Sequence, residues 1–158
     1  MKRPLRFVRL PAAERRLLVK AALLLVAIRL GLGLLPFQTL RHLLAQVAEA
    51  PAGFRGTNRY STERIAQAVE VAGRHLPGAG TCLTQALAGT GMLRRRGIDA
   101  TMTMGVAKAA LPPGGIEAHA WLSCAGVILT GAGGHERFQV VTRFTGAPTW
   151  RPHAPGER

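Results

Sequence analysis

Acidic residues are scarce in this chain. Eight Asp and Glu stand against 21 Lys and Arg, a formal net charge of +13 over 158 residues. Such an excess points to an anionic counterpart: nucleic acid, an anionic membrane face or an acidic protein. Aromatic residues make up only 5% of the chain. They are not interleaved with basic clusters, so the usual stacking surface for single strands is missing. No RRM, zinc-finger or basic-zipper pattern occurs either, and nucleic acid is set aside as a partner. Cysteine occurs twice, as Cys82 and Cys124. Two cannot build a disulfide scaffold, and no CxxC pair suggests zinc, so neither metal nor cofactor is expected. Sparse cysteine fits a reducing compartment, hence the cytoplasm. The N-terminal apolar run begins only near Leu17 and lacks a clean small-residue cleavage site, which argues against a signal peptide. No internal repeat is present.

The chain does have enough hydrophobic content, 47%, for one domain with a real core. Residues 1–20 carry seven basic side chains and one acid, Glu14. "AALLLVAIRLGLGLLPF", Ala21 to Phe37, then holds a single charge, Arg29. It is short for a membrane span. The first expectation is a buried or partner-facing helix, the next a membrane-surface helix through residues 1–37. Leu40, Leu43, Leu44 and Val47 continue at helical spacing, and Pro51, Gly53 and Gly56 then mark a boundary near residues 50–60. "STERIAQAVEVAGRHL" predicts a helix capped by Ser61 or Thr62, with Ile65, Val69, Ala72 and Leu76 on one stripe. A further helix follows Thr81 and closes at "RRRG". From there the period becomes two. "ATMTMGV", "IEAHAWLSC", "VILTG" and "FQVVTRF" read as strands, with "AG" as a hairpin turn, and the tail from Gly146 reads as loose. Helices followed by hairpin-linked strands predict an α+β fold with a segregated antiparallel sheet.

Two short stretches carry chemistry. In "PGAGTCLTQAL", Thr81 reads as an N-cap and Cys82 as the first helical residue. Unpaired N–H groups at a helix start favour a thiolate over a thiol and can stabilise an oxyanion. Gly78 and Gly80 are expected to let a substrate backbone come close. The plainer reading of Cys82 is a small core residue. In "EAHAW", His119 shares a strand face with Glu117, Trp121 and Ser123, opposite Ala118, Ala120 and Leu122. Cys at a helix start with His on a sheet strand is the arrangement of papain-like and transglutaminase-like folds. Cys124 reads as a packing residue, and Trp121 as a shield for the His119 face.

"GTCLTQALAGTGMLRRRGIDATMTMGVAKA", followed by "EAHAWLSCAGVILTG", resembles the transglutaminase-like leader peptidases of lasso peptide biosynthesis. These are the B-type proteins, here in the stand-alone form without a fused leader-binding domain. "RFVRLPAAERRLLVKAALLL…LLPF" is similar to their helical lead-in, so the resemblance covers about residues 5–145. The chain is expected to divide into a basic helical segment at residues 1–50, a transglutaminase-like catalytic domain at 51–146 and a flexible tail at 147–158. The resemblance implies a cysteine protease that removes the leader of a ribosomal precursor peptide. Cys82 would be the nucleophile and His119 the base. A separate winged-helix protein would bind the leader, and an ATP-dependent cyclase would close the macrolactam ring. A transglutaminase proper shares the chemistry and is disfavoured by size and family. The family places an Asp about twelve residues after the His; here that place falls near Thr130–Gly131, with no acid. Glu136 is the first choice for the third catalytic group. Glu117 lies about 7 Å along the strand from His119, and a dyad with a backbone or Thr130 acceptor is the other option. Loss of the acid also leaves open a non-catalytic binding or scaffold protein on the same fold.

Overall fold

A computed structural model describes residues 10–48, 61–108 and 115–145, with the backbone of residues 151–152. The boundary expected near residues 50–60 lies outside the described residues, as does the tail from Gly146 apart from residues 151–152. Among the described residues four helices come first: α1 (Ala12–Leu34), α2 (Phe37–Ala48), α3 (Thr62–His75) and α4 (Cys82–Arg94). The strands follow: β1 (Thr101–Lys108), β2 (Ile116–Cys124), β3 (Val127–Thr130), β4 (Gln139–Thr145) and β5 (Arg151–Pro152). The expected α+β order is the observed one.

Each helix start has a local cause. Pro11 precedes α1, where a missing N–H costs nothing. The Ser61 hydroxyl accepts from the Arg64 N–H at 3.4 Å and opens α3. Glu63, in the first turn of α3, has its carboxylate held below the usual range, chiefly by its own backbone N–H and then by the hydroxyls of Ser61 and Thr62. Negative charge at that end also complements the helix dipole.

The strands form one antiparallel sheet in the order β3-β2-β1-β4-β5. Ala125 (φ 48°) and Gly126 (φ 81°) make the tight turn between β2 and β3, a left-handed pair that matches strand twist. Alternation sorts the sheet into two faces. Met102, Ala120, Leu122 and Phe144 join the helix core, which includes Leu25, Ile28, Val69 and Leu93. On the other face Trp121 and Phe138 are buried around His119. The helix at the N-terminus shares the common core: Leu17, Ala21, Leu25 and Ile28 are its buried stripe.

Helix α4 lies close against β2. A Cβ at Gly89 would sit 2.5 Å from Leu122 Cδ2, and Leu122 is fully buried. Glycine inside a helix costs about 1 kcal/mol relative to alanine, and this approach explains its use. Gly89→Val should therefore destabilise the fold by about 1–3 kcal/mol, through overpacking against Leu122. Urea unfolding followed by circular dichroism measures it; an unchanged midpoint would show that the approach is not tight.

Candidate active site

The thiol half of the site is built locally. Leu76 ends α3, Gly78 turns the chain with φ 71°, and Gly80 is pressed on the backbone of Gly73. A side chain at Gly80 would run into the Gly73 carbonyl. Gly80 also lines the cleft beside Cys82, and nothing lies within 4 Å of a Cβ position at Gly78. Thr81 then caps α4, its hydroxyl accepting from the Thr84 N–H at 3.3 Å. The Thr84 hydroxyl, fully buried, meets the carbonyls of Ala79 and Thr81. Gln85 Nε2 donates to the Gly80 carbonyl at 2.8 Å. The loop that delivers Cys82 is tied at three successive carbonyls to the helix it opens.

Cys82 is the first residue of α4 and half-buried. The Thr84 N–H is taken by the Thr81 hydroxyl and the Gln85 N–H by the Thr81 carbonyl at 3.0 Å. Among the described residues no hydrogen bond engages the N–H groups of Cys82 and Leu83. Two donors beside a thiol at a helix start can stabilise an oxyanion formed on an attacked carbonyl. Cys82 opens onto a cleft of about 370 Å³, bordered by Gln85, by Glu70 and Arg74 of α3, and by Gly131, Ala132 and Gly133 beyond β3.

The imidazole half needs distant parts of the chain. His119 sits in the middle of β2, its ring centroid 4.9 Å from that of Phe138 and 6.0 Å from that of Trp121. Its Nε2 lies 2.8 Å from the carbonyl oxygen of Gly131. A carbonyl can only accept, so Nε2 carries the hydrogen in this bond. Nδ1 is left with a lone pair, and no hydrogen bond among the described residues engages it. Gly131 has φ 75°, and a Cβ there would meet the Ala120 carbonyl at 2.7 Å, so only glycine fits.

Comparison with known families matches residues 22–143 to the transglutaminase-like superfamily. The chain belongs to that superfamily. Its members are typically cysteine peptidases or transglutaminases. Comparisons with curated proteins and with solved structures give no match.

Within this superfamily fold, Cys82 and Gly131 line one cleft, and His119 meets the Gly131 carbonyl without lining that cleft; among the described residues no hydrogen bond joins Cys82 and His119. Ala120 and Leu122 face α4, so strand alternation turns His119 toward Trp121 and Phe138. Glu136, expected as the third group, is not brought to His119. It lies in the short turn His135–Arg137 with its side chain 74% exposed, and its Oε1 is 3.3 Å from His135 Nδ1. That turn is held by His135 Nδ1 on the Ala132 carbonyl at 2.8 Å, which leaves Glu136 toward solvent. Glu117 pairs instead with Arg137 at 2.7 Å. The Thr130 hydroxyl is buried, and among the described residues it has no hydrogen-bond partner. The acceptor on His119 is the backbone of Gly131, twelve residues on, where the resemblance puts an Asp. Cys124 Sγ rests 3.3 Å from the Asp99 carbonyl, away from the cleft.

Sequence reasoning passed over Glu70, Arg74 and Gln85. Glu70 and Arg74 are an i,i+4 pair on α3, 3.2 Å apart, and that spacing was the available sign. Gln85 is one turn past Cys82 and so on the same side of α4. At Gly131, alanine combines a left-handed φ with the backbone clash. Gly131→Ala should cost about 1–3 kcal/mol in thermal or urea unfolding. No loss of stability would contradict the tight placement of the 131–133 segment.

Proposed function

We propose that the protein is a cysteine peptidase that removes the leader from a ribosomal lasso peptide precursor. It would act with a separate leader-binding protein and ahead of a macrolactam cyclase. The observation that carries the hydrolytic part is the arrangement around Gly131. Cys82, at the start of α4, lines a cleft that Gly131 also lines, and the Gly131 carbonyl accepts from Nε2–H of His119. The sequence resemblance supports the choice of a leader peptide as substrate.

In this reading Nδ1 of His119 takes the thiol proton, and Cys82 Sγ attacks the scissile carbonyl carbon. The oxyanion meets the free N–H groups of Cys82 and Leu83. His119 returns the proton to the leaving amine, the C–N bond breaks and a thioester remains. Water, deprotonated by the same nitrogen, then releases the acid and restores the thiol. Hydrogen bonds of this kind are often loose in the free enzyme and tighten with substrate bound. The neutral Gly131 carbonyl orients the ring but supplies no charge to balance an imidazolium.

A non-catalytic scaffold on the same fold is the second reading. It is favoured by the missing bond between Cys82 and His119 and by the absence of a carboxylate on His119 among the described residues. Mass spectrometry of a candidate precursor, incubated with this chain and the leader-binding protein, separates the two. Cys82→Ala should abolish cleavage with folding intact. His119→Ala should slow it by roughly two to four orders of magnitude, while Glu136→Gln should leave it unchanged. Undiminished cleavage by the Cys82 variant would refute the proposal, and no cleavage by the native chain with its partner would favour the scaffold.

A further inference from the structure

Helix α1 is apolar on two opposite sides. Leu17, Ala21, Leu25 and Ile28 are buried in the core. Val19, Leu23, Val26 and Leu30 fall on an arc of about 60° on the other side by helical rotation. They are exposed, Leu23 at 67% and Leu30 at 60%, and Leu34 extends the stripe at 81%. Rotation also places Arg15 and Arg29 along one border of the stripe and Arg16 and Lys20 along the other. All four are exposed. The one acid of the helix, Glu14, sits in its first turn, 3.9 Å from Arg64.

We propose that this outward face of α1 docks on an anionic lipid bilayer, with the helix lying in the interface plane. An aliphatic stripe between two basic borders matches a surface of acyl chains and negative headgroups. The stripe enters the acyl boundary while the long basic side chains reach up to phosphate. A second copy of this chain fits poorly, because each copy carries a charge of +13 and would bring the same basic borders together. A protein partner is less well matched too. The stripe holds only Val and Leu, without the aromatic anchors and hydrogen-bonding groups of such interfaces. By length and composition α1 could cross a membrane. Crossing would strip Leu25 and Ile28, both at 0% exposure, out of the common core, so the helix lies on the bilayer and does not span it.

Flotation of the full chain on vesicles tests this independently of catalysis. Phosphatidylcholine vesicles with phosphatidylglycerol should carry the protein up the gradient, and pure phosphatidylcholine vesicles should carry far less. The double variant Leu23→Glu/Leu30→Glu alters only exposed positions, so its circular dichroism and melting temperature should match those of the native chain. Its partitioning should fall roughly a hundredfold. Three results would overturn the proposal. The native chain could stay at the bottom with anionic vesicles, or the double variant could float as well as the native chain. The native chain could also form a lipid-free dimer that the double variant abolishes, which would give the stripe to a second copy.

Discussion

The candidate site depends on the backbone of one residue. Gly131 adopts a left-handed φ with no room for a side chain against Ala120, and this turns its carbonyl onto His119 Nε2. The same residue begins the segment that borders the Cys82 cleft. One peptide unit therefore sets the tautomer of the imidazole and forms a wall of the thiol pocket. Where a carboxylate would orient the ring and also balance its charge, a carbonyl does only the first. The imidazole is thus held in one tautomer by a neutral acceptor.

The two halves of the site reach Gly131 by different routes. Residues 73–85 assemble the thiol half almost alone: a close Gly80–Gly73 contact, a Thr81 cap, and two side chains, Thr84 and Gln85, that satisfy the loop carbonyls. The imidazole half needs β2, β3 and the turn to β4, and it is registered on the first by the packing of Gly89 on Leu122. The aromatic enclosure of His119 by Trp121 and Phe138 fixes the ring plane on the sheet face opposite the helix core. Helix α1 underlies this whole arrangement through its inner stripe and leaves its outer stripe free.

Local patterns made most of the fold legible. Ser61 and Thr81 act as caps because a hydroxyl one residue ahead of an apolar period has little else to do. The strands emerged from alternation, down to Ile116–Cys124. The helix start at Cys82 and the strand position of His119 were legible for the same reason. The acceptor on His119 was harder to read, because a backbone carbonyl has no letter in a sequence; only the twelve-residue spacing hinted at Gly131. Glu136 is the nearest acid in sequence to Gly131, but a turn held by His135 and Ala132 directs it outward. The close approach of Gly80 to Gly73 was not legible, because Gly73 belongs to another element. The second apolar face of α1 was visible only as an unusually long apolar run, since sorting it into two stripes required knowing which side the core took.

The central claim is that the Gly131 carbonyl holds His119 as the Nε2–H tautomer, leaving Nδ1 free to accept a proton. Nitrogen-15 NMR of the imidazole, recorded where His119 is neutral, tests it most directly. A protonated Nε2 whose hydrogen exchanges slowly with solvent, beside an unprotonated Nδ1, is the expected result. A ring protonated at Nδ1, or one averaging rapidly between the two tautomers, would contradict it.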